Sequence, residues 1–476
     1  MTREQAREGA LAAFIADARW FGGKGRDFSI TGIRDLALTD EVTTTLVTLA
    51  FDDPGADSGS DSGTALYQVP ISSYDEPQER IAHALIGEWD DRFHYDAVHD
   101  REAMQGWLQA FAAATPETPD GAFHRTADHV LDLDSHSTLY SGEQSNSSVA
   151  FGEDSLMKLF RRVTPGPNPD IEILEALTRA GSTHVAALYG YVGTDGLHLA
   201  MLQQFLRTAS DGWDLALVSA RNLFSEGDLH ADEVGGDFAG EAHRLGAAVA
   251  EVHQMLAEEF PTQPLDLTGT ARTMRRRLTE ALDVVPGLAE HRASLVERFD
   301  AITGVQAPER AQRIHGDLHL GQTLRTSRGW KLVDFEGEPA KDLAERRLPD
   351  SPWRDVAGML RSFDYAARAV ARDLASTEEE ASQVAYRSGE WVQRNSAAFL
   401  DGYVEHRESP LSPDELALVT AYVADKAIYE AVYETRNRPA WVDIPLAALH
   451  KLADGITDHA TPVHGSISGS ISGTEA

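Results

Sequence analysis

An α+β fold is predicted by a change in apolar pattern along the chain. Up to about residue 206 the sequence is rich in short alternating segments: Phe28 to Leu38, Val42 to Phe51, Ala65 to Ile71, Val130 to Leu133, Ser137 to Tyr140, Ser148 to Gly152, Ser155 to Leu159 and Leu197 to Met201. Period-two alternation of this kind reads as antiparallel strands. Beyond that point, Asp214 to Leu229, Gly240 to Phe260, Thr270 to Asp300 and Tyr422 to Asn437 carry three- and four-residue spacing, the mark of helices. At 476 residues the chain has length enough for two or three compact units.

The first unit is expected over residues 1–95. Glu4 to Ala18 reads as an amphipathic helix, with Ala6, Ala10, Phe14 and Ala18 on one face, and the loop Asp52 to Gly63 separates two of the strands. The basic cluster Arg19 to Arg26, R-W-F-G-G-K-G-R, lacks the strand, Ser/Thr and helix context of a phosphate-binding P-loop. It is expected to fix the helix against the sheet. Asp96 to Pro119 reads as helical, with Trp107 and Phe111 one turn apart.

Composition narrows the function. With 42 basic and 76 acidic residues the net charge is −34, which opposes binding to nucleic acid or an anionic membrane. The absence of cysteine removes disulfides, thiolate metal sites and a cysteine nucleophile. The N-terminus has no apolar segment of signal-peptide length, and no run of about 18 apolar residues occurs. The expectation is a cytoplasmic monomer that acts on a small molecule.

The chemistry is concentrated between Arg313 and Pro339, R-I-H-G-D-L-H-L-G-Q-T-L-R-T-S-R-G-W-K-L-V-D-F-E-G-E-P. A loop with His315, Asp317 and His319 runs to Gln322; after a turn at Ser327 to Gly329, the strand Trp330 to Val333 delivers Asp334, Phe335 and Glu336. Two acidic centres thus flank one hairpin. The arrangement suits phosphoryl transfer, with Asp317 accepting a hydroxyl proton and Gln322 and Asp334 offering hard oxygen ligands to Mg2+ beside ATP phosphates. A zinc site on His315 and His319 is disfavoured, because the glutamate expected after the first histidine is missing and Gly316 opposes a helix.

H-G-D-L-H-L-G-Q followed by V-D-F-E-G-E-P resembles the aminoglycoside-phosphotransferase-like kinases and, within them, most resembles the actinobacterial maltokinases. The resemblance implies a bilobal protein-kinase-like fold with an additional N-terminal cap: cap at 1–95, nucleotide lobe at 96–206, a mainly helical lobe at 207–460 and a disordered tail at 461–476. It makes Asp317 the catalytic base, Gln322 and Asp334 the metal ligands and Glu336 a further ligand or organiser. Lys158, on L-M-K-L-F, stands where such kinases hold the nucleotide phosphates. Glu172 or Glu175, with Glu172 preferred, is expected to pair with it. The turn Ser141 to Ser147 replaces a Gly-rich loop, and Ser145, Asn146 and Ser147 can offer N–H and hydroxyl groups to phosphates. Gln203 opens the hinge that faces the purine.

His315 is read as a loop-ordering residue, His319 as a hydrogen-bonding neighbour of Asp317 on the acceptor side, and Asp355 as an anchor for the catalytic loop backbone. His243 and His253 read as satisfied core or surface histidines, and Arg275 to Arg277 as the solvated side of a helix. In Y-V-A-D-K-A-I-Y-E-A-V-Y-E-T-R-N, Lys426, Tyr429, Glu430, Tyr433, Glu434 and Arg436 combine rings with charged groups, as a polyhydroxylated sugar requires. One of the two tyrosines is expected to be mainly structural. The same stretch resembles the maltokinase sugar helix, which implies phosphorylation of maltose at its anomeric hydroxyl in α-glucan synthesis. Glucosamine, glucose or an aminoglycoside as acceptor, a non-catalytic ATP-binding scaffold, and a metal-dependent hydrolase are the rival readings.

Overall fold

The computed structural model describes residues 2–52, 63–115, 121–140, 145–226, 229–306, 309–338, 341–374 and 378–454. The tail from 461, most of the Asp52 to Gly63 loop, the first four residues of the Ser141 to Ser147 turn, residues 116–119 at the end of the expected Asp96 to Pro119 helix and Pro339 lie outside them.

The chain opens with α1 (Arg3–Asp17), started by a capping box of Thr2 and Gln5. Next come β1 (Phe28–Ala37), β2 (Thr43–Phe51), β3 (Thr64–Tyr74), β4 (Leu85–Trp89) and β5 (Arg92–Asp96). These strands form one antiparallel sheet in the order β1-β2-β3-β5-β4. Leu11 and Ile15 of α1 are buried with Val47, Leu49 and Val69 of the sheet, and of the expected face Ala10, Phe14 and Ala18 pack half-buried beside them, so the buried centre lies one residue round from that face. The basic cluster behaves as a fastening: Lys24 Nζ donates to the Ala16 carbonyl at 2.9 Å, Arg26 lies 4.0 Å over the Phe51 ring, and Trp20 packs on Phe14 and Tyr67.

After α2 (Arg101–Ala113) the second sheet is built from β6 (Phe123–Arg125), β7 (Ser137–Tyr140), β8 (Ser147–Phe151) and β9 (Ser155–Leu159). β10 (Arg162–Val163) leaves this sheet and pairs with β3, so the first sheet gains its sixth strand from the second lobe. Then follow α3 (Pro169–Arg179), β11 (Leu188–Thr194) and β12 (Leu197–Gln204), giving the order β6-β11-β12-β9-β8-β7. Val130 to Leu133 is no strand, contrary to its apolar pattern. Val130 is 88% exposed, and the Asp132 side chain accepts from the Asp134 backbone and Ser135 hydroxyl, which turns the chain. The edge of this sheet beside β11 is formed instead by β6, whose Phe123 packs on Trp107 and Phe111.

The rest is mostly helical: β13 (Ser210–Asp211), α4 (Gly212–Ser225), α5 (Ala239–Glu259), β14 (Gln263–Pro264), α6 (Leu267–Val284), α7 (Arg292–Ala301) and β15 (Arg310–Ala311). The hairpin β16 (Thr323–Thr326) and β17 (Gly329–Leu332) precedes α8 (Leu343–Arg346), α9 (Pro352–Leu374), α10 (Glu378–Arg407), α11 (Pro413–Asn437) and α12 (Asp443–Ala453). Their buried faces join one large core that includes Trp330, Phe335, Phe363 and Trp391. No helix among the described residues is long and apolar enough to cross a membrane.

Candidate active site

The loop that carries Asp317 is held from behind. Asp355, in the first turn of α9 and 1% exposed, accepts the backbone N–H of His315 at 2.7 Å and of Gly316 at 2.9 Å. Its remaining capacity goes to His253 Nε2 at 3.1 Å, and His253 Nδ1 bonds the Tyr403 hydroxyl at 2.9 Å. His253 is thus a satisfied core histidine in this chain of contacts. Gly316 adopts φ of 87°, a left-handed turn that favours glycine and swings the loop forward to Asp317. His315 is buried, bonds the Val333 carbonyl through Nε2 at 2.9 Å and lies against the Phe335 ring, so the loop is tied to the strand that delivers Asp334. Gly358 allows α9 to approach: a Cβ there would stand 2.4 Å from the Leu318 carbonyl.

Asp317 receives Lys426 Nζ, from α11, at 2.9 Å. Burial pushes the Asp317 carboxyl up, but the charge and hydrogen bond of Lys426 overcome this and hold it below the ordinary aspartate value. Lys426 responds in kind: burial opposes its charge, and Asp317 keeps its ammonium raised. His319 caps the Leu320–Gln322 3-10 turn by accepting from Gly321 N at 3.1 Å, and burial lowers its imidazole.

Across the cleft, Lys158 on β9 places Nζ 2.8 Å from Asp334 Oδ1, 2.9 Å from Glu336 Oε1 and 3.5 Å from Asp170 Oδ2. The helix partner of Lys158 is therefore Asp170, which corrects the expectation of Glu172 or Glu175. Asn168 caps α3 by accepting from the backbone of Asp170 and Ile171, which sets Asp170 in the first turn, closest to the strand. Glu172 turns instead to Arg313 and Arg347, each at 2.8 Å. Asp170 also accepts Phe335 N at 3.0 Å, so a single buried carboxylate links lysine, helix and the Asp334 segment. Burial pushes the Asp170 carboxyl up, to about 6, against the attraction of Lys158. Burial likewise disfavours charge on Lys158, yet Glu336, Asp334 and Asp170 raise its pKa well above the usual lysine value.

Asp170, Asp334 and Glu336 bring one carboxylate oxygen each within 4.8 Å of one another, a set of hard oxygens that fits Mg2+. Gln322 Nε2 donates to Asp334 Oδ2 at 3.2 Å, beside this group. Asp334 has φ of 68°, a left-handed conformation for a residue with a side chain, and the strain lies at the centre of the cleft.

The remaining nucleotide candidates are distributed differently from one another. Ser145 is exposed and Asn146 half-buried in the bend before β8. Ser147 is already in the strand, 7% exposed, and its hydroxyl accepts from Arg161 Nε at 2.8 Å, so it is spent on the sheet. Gln203 lies one residue short of the end of β12, paired with Leu156 and Leu188, and Phe205 N then bonds the Asp154 carbonyl.

On the acceptor side, the pocket over Asp317 is lined by Lys426 and Tyr429 but by none of the other four α11 candidates. Glu430 is taken by Arg361 at 2.6 and 3.0 Å, and Glu434, 2% exposed, by Tyr365 and Arg438. Tyr433 and Arg436 are exposed. Arg277 corrects another expectation: it is no solvated residue but lines this pocket and pairs with buried Asp425 at 2.5 Å. Arg354 joins Glu338 at 2.5 Å and Asp350 at 2.8 Å. Glu338 belongs to V-D-F-E-G-E-P, but Arg277, Arg354 and Asp425 carry no motif of their own; only the fold brings α6, α9 and α11 to this segment as one wall. A larger cavity of about 480 Å³ shares these four residues and extends outward along α6.

A buried lysine facing carboxylates across a two-lobed cleft, with a loop aspartate anchored from α9, defines a kinase-like phosphotransferase. The family model of the maltokinase N-terminal cap domain matches residues 14–100. A glucosamine kinase of Streptacidiphilus jiangxiensis is 29% identical over 372 residues, covering 72% of this chain and 80% of its own. One from Mycolicibacterium smegmatis is 25% identical over 327 residues, covering 66% of this chain and 78% of its own. A solved glucosamine kinase in complex with glucosamine, ADP and inorganic phosphate shares the fold with a TM-score of 0.67 at 23% identity, covering 92% of this chain and 98% of that one. The chain is a sugar phosphotransferase that carries a maltokinase N-terminal cap domain and shares its mixed helix-and-sheet kinase fold with the solved glucosamine kinase.

Proposed function

We propose that this enzyme transfers the γ-phosphoryl group of ATP to a neutral sugar, with maltose as acceptor and its anomeric hydroxyl as nucleophile, giving maltose 1-phosphate and ADP. The observation that carries the neutral acceptor is the charge state of the pocket over Asp317. Each carboxylate lining it already has a partner: Asp317 has Lys426, Glu338 has Arg354, Asp425 has Arg277, and Asp355 has His253 and two backbone N–H groups. An ammonium-bearing sugar entering here would meet the like charge of Lys426; Asp425 Oδ1, though without a hydrogen-bond partner, is buried on a carboxylate already paired with Arg277. A neutral sugar needs hydrogen-bond partners and a ring face, which Tyr429 and the paired charges supply.

In the proposed reaction Asp317 orients the acceptor hydroxyl and takes its proton as the oxygen attacks the γ-phosphorus and the bond to ADP breaks. Because Lys426 holds it ionised, Asp317 is a weak base that works by position and late proton transfer. Lys158 offers its charge to the nucleotide phosphates, steadied by Asp170. Asp334 and Glu336, with Asp170 and the neighbouring Gln322, would hold Mg2+, which when bound supplies charge neutralisation on the phosphates.

The second reading, glucosamine as acceptor, is favoured by the names of the two curated relatives. The two are separated by presenting maltose and glucosamine at equal concentration with Mg2+ and ATP and reading the product by 31P NMR. An anomeric phosphate on maltose supports the proposal. A 6-phosphate on glucosamine, with maltose untouched, overturns it.

A further inference from the structure

A group of potential metal ligands lies outside the cleft, where the 3-10 turn Pro286–His291 meets α12. Glu290, His291 and His450 bring one ligand atom each within 4.8 Å of one another. Glu290 Oε1 stands 3.4 Å from His291 Nε2 and 3.7 Å from His450 Nε2. On a tetrahedral zinc with bonds of about 2.0–2.2 Å, neighbouring ligand atoms are separated by roughly 3.3–3.6 Å. One pair already has that spacing and the other exceeds it slightly. The two imidazole rings are 4.2 Å apart and inclined at 64°, an edge-on rather than a stacked contact.

A second observation concerns His291. Its side chain is 12% exposed, and its Nε2 is buried with no hydrogen-bond partner although it faces the Glu290 carboxylate. A ring nitrogen left this way is costly unless a ligand completes it. The surroundings hold the two elements in place: Ser294 Oγ and Arg298 of α7 donate to the Ala453 and Leu452 carbonyls of α12. His450 is about half exposed, leaving the fourth position open to solvent.

We infer that Glu290, His291 and His450 form a binding site for a borderline divalent cation such as Zn2+, with water as fourth ligand, that ties α12 to the turn before α7. Two imidazoles and one carboxylate favour zinc over magnesium, which prefers oxygen donors. The ion therefore differs from the one the cleft would take.

The test uses the full chain, stripped with a chelator and then titrated calorimetrically with ZnCl2 in excess Mg2+, which occupies the oxygen-rich cleft. Wild type is expected to bind one equivalent with Kd below about 10 µM, and to rise in thermal midpoint. His450→Ala and Glu290→Gln, both at exposed positions, are expected to weaken binding more than tenfold. Co2+ should give visible bands of a tetrahedral site in wild type and lose them in His450→Ala. Absence of one-to-one binding, or equal affinity in wild type and both variants, overturns the assignment.

Discussion

At the residue scale the account turns on which acid serves Lys158. Asp170→Asn is expected to weaken ATP binding about tenfold or more, since it removes a buried charge from beside the lysine and alters the support of Phe335 N. Glu172→Gln should leave ATP affinity within about twofold while costing roughly 1 kcal/mol of stability, through its bonds to Arg313 and Arg347. Nucleotide titration by fluorescence, beside chemical denaturation, distinguishes the two; a reversed ranking would return the lysine partner to Glu172. The sequence shows both acids on one helix, but their distance to Lys158 depends on where α3 starts. That start is set by Asn168, and the N-P-D sequence was the available signal for it.

At the element scale, α9 and α11 make the site from opposite sides. Asp355→Ala would strand the N–H groups of His315 and Gly316, and is expected to cost about 3 kcal/mol and most of the activity. Glycine offers a finer probe. Gly358→Ala, whose Cβ would meet the Leu318 carbonyl, should destabilise by about 1–3 kcal/mol and lower kcat with it. Gly389→Ala, on α10 with open space around the new Cβ, should stabilise by about 0.5–1 kcal/mol and leave kcat unchanged. Denaturant midpoints and initial rates for the pair check this; equal effects would remove the close approach of α9 from the account. The hairpin of β16 and β17 was legible because its strands, turn and motif residues are contiguous. The wall beside Asp317 was not, since Arg277, Arg354 and Asp425 come from three distant helices, look like ordinary helix charges and meet the motif residue Glu338 only in the fold. Even on α11, three- and four-residue spacing shows which residues share a face but not which will be neutralised by Arg361 or Arg438.

For the whole molecule, buried carboxylates set the response to acid. Burial pushes Asp355 and Asp364 up, but His253 in the first case and Arg361 in the second bring both below the ordinary aspartate value of 3.8. A depressed folded pKa gives stability that is present above the unfolded value and lost as pH falls through the folded one. Stability at constant ionic strength is thus expected to change little through these groups from pH 7 to 5 and to fall below about 4. Denaturation curves across this range check it, and a rise in stability below pH 4 would contradict the assignment. The division into an antiparallel first half and a helical second half could be read from periodicity alone. The exchange of β10 between sheets could not, because a two-residue strand carries no pattern. The most direct test of the central claim is single-turnover phosphoryl transfer from γ-labelled ATP to maltose by wild type and Asp317→Asn. Transfer by wild type, with the variant slowed about 10²–10⁴-fold at near-unchanged ATP affinity, is the predicted result. A near-normal rate in Asp317→Asn, or no labelled sugar from wild type, would contradict it.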